Sequence, residues 1–315
     1  MPKNKIQFQK GLSLPDFLKA YGTQEQCQTA LFRLRWPKGF TCPNCGNSNY
    51  YELTTRNLYQ CTACNRQTSL TSGTLFEATK LKLTIWFLAI YLLTQSKDGI
   101  SSLNLARTLG ISANAAHRMR HKLQHAMKLC DDRQALSGLV QIDDSYIGGE
   151  RHGGKRGRGA EGKVPFVAAV MTNDQGHPIA MRFSVVAGFT KNDISNWAKS
   201  HLFPGTSVLS DGLNCFPAVK DAGCDHHVIV KSHIAKSHRY SEFKWVDTMI
   251  GNVKNSIHGT YHAISEKHVP RYLAEFCFRF NRRFELGKMI QQLAQTAINT
   301  LPIPQRILKL AEDRW

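Results

Sequence analysis

Cys42 and Cys45 stand three apart in FTCPNCG, and Cys61 and Cys64 repeat that spacing in LYQCTACN, with fifteen residues between the two pairs. A Cys-x-x-Cys pair forms a tight turn that aims two sulfurs at one point. Two such knuckles at this separation close a tetrahedral four-thiolate zinc site. Gly46 and Asn65 follow the second cysteine of each knuckle, where a residue with positive φ lets backbone N–H groups turn toward sulfur. No further donor accompanies the four thiols, and catalytic zinc keeps an open position, so the expected zinc is structural. The other five cysteines, Cys27, Cys130, Cys215, Cys224 and Cys277, read as small buried hydrophobes. The run Cys224-Asp225-His226-His227 is a weaker metal candidate, because adjacent histidines on a strand point to opposite faces.

Carboxylates form the second set. Asp143 and Asp144 stand side by side in VQIDDSYIGG, and such a pair is costly unless a cation neutralises it. Asp211 ends SVLSDG, and Asp247 lies in EFKWVDTMIGNVK, which reads as a helix. Hard divalent cations prefer carboxylate oxygens. Two of them ~4 Å apart can activate an attacking hydroxyl and stabilise a leaving oxygen in line, which is phosphoryl transfer. Such a site needs about three carboxylates from separate elements and a nearby cation. Asp143, Asp211 and Asp247 are the candidates, although a single strand-end aspartate is as readily a cap or turn residue. Asp144 rivals Asp143, and strand alternation predicts that only one of them points into the site. After Asp144 comes a glycine-rich loop carrying Lys155, Arg156 and Arg158, placed to meet an anionic backbone.

The elements that must position these groups follow from pattern. From residue 138, LVQIDDSYIGG, VPFVAAVMT, HPIAMRFSVV, TSVLSDG and HHVIVK read as strands, with NDISNWAKSHLF as a helix between the third and fourth. Helical segments return from Tyr240. This predicts an α/β domain around a mixed sheet. YYELTT and LYQCTA predict a small hairpin beside the cysteines. LKLTIWFLAIYLLTQSKDG predicts a buried helix ending near Gly99. Beyond it, Leu103, Ala106 and Leu109 repeat at helical spacing, Gly110 breaks that helix and Ser112 caps the next. Ala116, Met119, Leu123 and Met127 then form a second apolar stripe. The two helices read as a helix-turn-helix, with His117, Arg118, Arg120, His121 and Lys122 as a basic surface for DNA. In EKHVPRYLAEFCFRFNRR, Val269, Tyr272, Leu273, Phe276 and Phe280 face inward, and Arg279, Arg282 and Arg283 either meet DNA or form a solvated face. The expected divisions are an N-terminal helical segment 1–35, a zinc ribbon 36–78, a helix-turn-helix segment 79–135, a catalytic domain 136–290 and a tail 291–315.

The 315 residues carry a formal charge of +18, which suits a polyanion, nucleic acid or an anionic membrane. No apolar run reaches the ~18 residues of a membrane span. MPKNKIQFQK lacks the apolar core of a signal peptide, so the cytoplasm, where thiols stay reduced, is the expected location.

The chain resembles the ISXO-like insertion-sequence transposases, a bacterial group with an N-terminal zinc ribbon. The resemblance rests on LRWPKGFTCPNCG, LYQCTACNRQTSLTSGTLFEATKL, WFLAIYLLTQSKDGIS, IDDSYIGG, GKRGRGAEGK, SDG and WVDTMIGNVKNSIHGTYHAISEKHVPRYLAEFCFRFNRR, which run in order over nearly the whole chain. It implies a ribonuclease-H-like catalytic domain of the DDE class, which cuts the ends of its element and joins the freed 3′ hydroxyls to new DNA using Mg2+. It places the first acid on Asp143, within what is usually an Asp-Glu pair and here is Asp143-Asp144, and the second on Asp211. The third position, usually Asn or Glu with Lys seven residues later, falls on Asp247 and Lys254. On one helix that spacing is two turns and one face. Asn252 is a rival for the third position. The resemblance also implies a multimer on double-stranded DNA, because two element ends must be joined together. A catalytically decayed DNA-binding regulator and a zinc-ribbon transcription factor with an unrelated α/β domain are the competing readings.

Overall fold

The small three-stranded sheet beside the cysteine knuckles shows how local chemistry sets the chain path. In the computed structural model, residues 11–132, 134–148, 162–229, 243–262 and 264–310 are described. They divide into two compact units, one of residues 11–126 with Phe284–Leu310, the other Met127–Arg283. In chain order the elements are α1 (Leu14–Tyr21), α2 (Gln24–Arg35), β1 (Tyr50–Leu53), β2 (Leu58–Cys61), β3 (Gln67–Ser69), α3 (Leu83–Gln95), α4 (Ser102–Leu109) and α5 (Ala113–Asp131). Then come β4 (Leu139–Ile147), β5 (Val164–Thr172), β6 (Pro178–Val185), α6 (Lys191–His201), β7 (Ser207–Ser210), β8 (Asp225–Val228), α7 (Lys244–Ser256), α8 (Val269–Asn281), α9 (Met289–Asn299) and α10 (Gln305–Leu310). No helix among the described residues is long and apolar enough to cross a membrane.

In the first unit, β1, β2 and β3 pair antiparallel in that order, which supplies the expected hairpin and adds a third strand. The Thr23 side chain accepts the Gln26 N–H while Gln26 reaches back to the Thr23 N–H, a reciprocal cap that starts α2. The other end of α2 is tied to the ribbon. Arg35 donates to the carbonyls of Ser69, Leu70 and Ser72 at 3.1, 2.6 and 2.7 Å. Phe32, Trp36, Phe40, Tyr50 and Tyr59 pack ring on ring between helix and sheet. Four of the five expected hydrophobic thiols are buried; Cys130 is half-buried. Helix α3 buries Leu83, Trp86, Phe87, Ala89, Ile90 and Leu93, as its apolar density predicts.

Helices α4 and α5 are joined by a short turn in which Gly110 adopts φ 64 and Ser112 Oγ accepts the Ala115 N–H. The phase of α4 differs from expectation. Its buried face is Leu105, Ala106 and Leu109, and Leu103 is 59% exposed. On α5 the stripe Ala116, Met119, Leu123 and Met127 is buried as predicted.

The second unit holds a five-stranded sheet in the order β6-β5-β4-β7-β8. Strands β6, β5 and β4 pair antiparallel, and β4, β7 and β8 are parallel. This is the mixed α/β arrangement the strand pattern predicts. Alternation divides the sheet cleanly. Val140, Ile142, Val167, Ala169 and Val208 pack on one face with Ile194, Trp197 and Ala198 of α6. Ile147, Phe166, Ala168 and Val170 pack on the other with Val246, Met249 and Val253 of α7 and Leu273 and Cys277 of α8. Gln141 Oε1 accepts the Val246 N–H at 3.2 Å, which ties the start of α7 to the central strand.

The arginines of α8 neither face solvent nor offer a free DNA surface, which corrects both sequence readings. Arg279 pairs with Glu275, and both are nearly buried. Arg282 Nη1 lies 2.5 Å from Asp131 Oδ1, a pair under 10% exposed on either side. Arg283 donates to the carbonyls of Ile179 and Pro178. Those carbonyls belong to β6, the outer strand of the sheet. Asn281 continues the same engagement, accepting the Met181 N–H at 2.7 Å and donating to its carbonyl at 3.0 Å. The Phe183 backbone hydrogen-bonds the Cys277 thiol, whose burial pushes it up to about 12.

One half-buried histidine is expected to make stability depend on pH. Burial first, and then the Arg182 charge, push the His201 imidazole down from 6.5 to about 4. The unfolded chain therefore binds more protons than the folded one between those values. His201's contribution is fully present above pH 6.5 and is lost as pH falls toward 4. At about 1.36 kcal/mol per pH unit the loss is about 3 kcal/mol. His201→Gln is expected to remove this part of the acid sensitivity, read as urea-unfolding free energies at pH 7 and pH 4.5. Equal losses in wild type and variant would refute the assignment.

Candidate functional site

The two chemical sets found in sequence occupy different units. In the ribbon, the four cysteine sulfurs lie within 4.8 Å of one another. Cys42 and Cys64 Sγ are 3.6 Å apart, and Cys45 and Cys61 Sγ are 3.5 Å apart. A tetrahedral zinc with bonds of about 2.3 Å separates its sulfurs by about 3.8 Å, so these four thiols fit that ion with little movement. The knuckle geometry follows from two residues with positive φ. Gly46 (φ 74) and Asn65 (φ 55) each return a backbone N–H to the first cysteine's carbonyl, at 3.0 and 3.1 Å. Asn47 Nδ2 adds a contact to Cys61 Sγ at 3.5 Å.

In the second unit, oxygens of Asp143, Asp144 and Asp211 lie within 4.8 Å of one another. Strand register explains the meeting of the first and third. The parallel pairing of β4 with β7 runs Val140 to Val208 and Gln141 to Leu209. Two residues further in the same register, Asp143 comes alongside Asp211. Like Gln141, Asp143 projects to the face of α7 and α8, and it is only 9% exposed. Asp144 belongs to the opposite face, with Tyr146, whose ring meets Phe189 at 5.5 Å.

The expectation that alternation admits only one of the pair is therefore corrected. Strand β7 stops at Ser210, so at this level β4 has lost its parallel neighbour. Carboxylates from both faces can turn into the space beyond that strand end. Asp143 Oδ1 also accepts the Asp144 N–H at 2.9 Å. Asp211 Oδ1 accepts the Leu213 N–H at 3.1 Å, a local turn that fixes its side chain.

Lys254 lies near the end of α7, in the field of these acids. Partial burial lowers its ammonium below the usual lysine range; Asp143 and Asp144 pull it up, and Lys163 pushes it down. Lys163 is a cation the sequence reading did not single out. The signal was available, since Lys163 immediately precedes β5 and Gly148 immediately follows β4. A Cβ on Gly148 would come within 2.8 Å of the Gly162 carbonyl and 3.2 Å of Lys163, so the two hairpin arms approach closely here.

Asp247 is exposed in the first turn of α7 and is not among the three converging carboxylates. Asn252 and Lys254 lie on the same helix, and both are exposed. Lys155, Arg156 and Arg158 lie outside the described residues.

The basic surface expected on α5 is much reduced. Arg118 is exposed, with its guanidinium 2.9 Å from Gln305 Oε1. Arg120 is 3% exposed and donates to the Ile100 carbonyl. Lys122 is half-buried, with Nζ 3.1 Å from the Leu75 carbonyl, and His121 is buried. The reason is helical phase. Arg120 stands four residues after Ala116 and three before Leu123, inside the stripe that the helix buries. The Cys224–His227 run makes no metal cluster among the described residues. There His226 Nε2 instead lies 2.8 Å from Ser210 Oγ.

Comparison with known proteins agrees with both sets. Residues 135–281 match the family model described as the ISXO2-like transposase domain. Residues 22–67 match the transposase zinc-ribbon domain. A Halobacterium salinarum relative, described as an uncharacterized protein in transposable element ISH50, is 28% identical over 181 residues. That alignment takes in 51% of this chain and 60% of the relative, so the chain spans about 60% of that protein's length. The mixed sheet is consistent with a ribonuclease-H-like fold.

Proposed function

We propose that this chain, whose residues 135–281 and 22–67 match the ISXO2-like transposase domain and the transposase zinc-ribbon domain, is an insertion-sequence transposase that binds the ends of a mobile element, cleaves the DNA there and joins the freed 3′ ends to target DNA. The observation that carries this reading is the convergence of Asp143, Asp144 and Asp211 with Lys254 in their field. Three carboxylates this close repel unless cations sit among them. Their all-oxygen donor set suits a hard divalent cation such as Mg2+. Bound there, a pair of such ions would supply activation of the attacking oxygen and stabilisation of the leaving one.

The chain's own residues supply the rest. Asp143 on β4 and Asp211, just past the end of β7, would hold the ions. Asp247, two turns from Lys254 on one helix, is the proposed carboxylate from a third element, with Asn252 as its rival there; Asp144, beside Asp143 on β4, is the alternative third ligand. Lys254 meets the phosphate beside the acids, and Lys155, Arg156 and Arg158 would track the DNA backbone. The ribbon zinc is structural. The element ends and target are double-stranded DNA, engaged by a homo-oligomer in the cytoplasm.

The test is incubation of the full chain with labelled duplexes carrying its element's ends, with and without Mg2+. Metal-dependent nicking followed by strand joining is expected. Sequence-selective binding without cleavage would overturn the enzymatic reading in favour of a decayed DNA-binding regulator.

Binding itself separates exposed from buried basic residues. Arg118→Ala is expected to weaken DNA binding and reduce the salt slope by about one, as loss of one phosphate contact does. Arg120→Ala is expected instead to cost about 1–3 kcal/mol of stability, because the buried Ile100 carbonyl loses its donor. Filter binding over a salt series and urea unfolding read the two effects; the reverse pattern would refute the placement of this surface.

A further inference from the structure

Asp211 is held by groups that the reaction itself does not use. It follows the last residue of β7, and it and the two carboxylates it joins would push one another apart. Behind it, Ser210 is fully buried, and its Oγ makes two contacts of 2.8 Å. One is to the Asp211 backbone carbonyl, the other to His226 Nε2. A hydroxyl has one proton, and a carbonyl can only accept. Both contacts are satisfied only if Ser210 donates to the Asp211 carbonyl and His226 donates Nε2–H to Ser210. His226 reaches that position because β8 runs parallel to β7, pairing Val208 with His226 and Ser210 with Val228.

We propose that His226, through Ser210, is a positioning residue that holds Asp211 in place for divalent-ion binding. The inference rests on the metal-binding reading of Asp143, Asp144 and Asp211. The relay fixes the peptide that follows Asp211 through its backbone carbonyl, and the Leu213 N–H fixes the carboxylate. Without the relay, repulsion from Asp143 and Asp144 is opposed by the turn alone. Groups that orient a metal ligand in this way typically change ion affinity about 10–100-fold when removed.

The experiment is Mn2+ binding to the full chain, followed by electron paramagnetic resonance in the absence of DNA. The component abolished by Asp143→Asn defines the site. His226→Ala and Ser210→Ala are each expected to weaken that component at least about 10-fold. His226→Gln keeps an N–H donor at similar reach and is expected to bind within a few-fold of wild type, and thermal melts establish that each variant is folded. Wild-type affinity in folded His226→Ala, or equal weakening in His226→Ala and His226→Gln, would overturn the relay and leave the metal site standing. Absence of any Mn2+ component sensitive to Asp143→Asn would overturn the metal-binding reading, and the relay with it.

Discussion

Asp143→Asn and Asp211→Asn are each expected to reduce DNA cleavage about 10³-fold or more while leaving DNA binding intact. Asp143 lies on β4 and Asp211 directly follows its parallel neighbour β7, and their oxygens already lie within 4.8 Å of each other. An amide keeps the shape but loses the charge that draws a divalent cation into the site. Stabilisation of charge at a transferring phosphate by bound metal is worth several kcal/mol. At 1.36 kcal/mol per tenfold, losing about 4 kcal/mol gives the stated factor. Asp144→Asn and Asp247→Asn belong in the same experiment, because they decide which carboxylate completes the set. Residual cleavage above a tenth of wild type in either Asp143→Asn or Asp211→Asn would remove that residue from the catalytic group.

The second large effect concerns the ribbon. Cys42→Ala or Cys61→Ala is expected to lower bound zinc from about one ion per chain to nearly none and to unfold β1–β3. The ribbon's strands are three and four residues long, and Tyr50 and Tyr51 on β1 are exposed. So short a sheet has little core of its own, and metal binding supplies much of the folding free energy in such domains. Atomic absorption gives the zinc content, and amide exchange reports the ribbon's protection. A chelator should reproduce both changes in wild type. Zinc retained in full by either variant, or protection of β2 unchanged without zinc, would show that the four thiols do not close one site.

How much of this was legible in sequence depends on the range of the forces involved. The ribbon was readable because ligand spacing is local: Cys42, Cys45, Cys61 and Cys64 with Gly46 and Asn65 specify two knuckles almost alone. Strands β4 to β8 were readable from alternation and apolar runs. The meeting of Asp143 with Asp211 was expected through the family resemblance and not from local pattern, since it depends on the register between strands separated by about sixty residues of chain. Asp144 was set aside by a rule valid inside a sheet, but the rule fails where a neighbouring strand ends. Arg120 and Lys122 were taken as surface because arginine and lysine are usually exposed. Helical phase overrules composition there, and the phase was already in the sequence. The arginines of α8 could be placed only by their partners: Asp131, the Ile179 carbonyl and Glu275 lie far away in chain or one turn back.

The main-chain groups along the outer side of β6 bear on how copies of this protein can associate. An open strand is a template onto which another chain's strand can add, the usual route to runaway sheet growth. Here a carboxamide, a guanidinium and a thiol occupy the hydrogen-bonding positions from Pro178 to Phe183 that an incoming strand would need. The fold thereby denies this margin to an added strand, and self-association by sheet extension along β6 is blocked from within the chain.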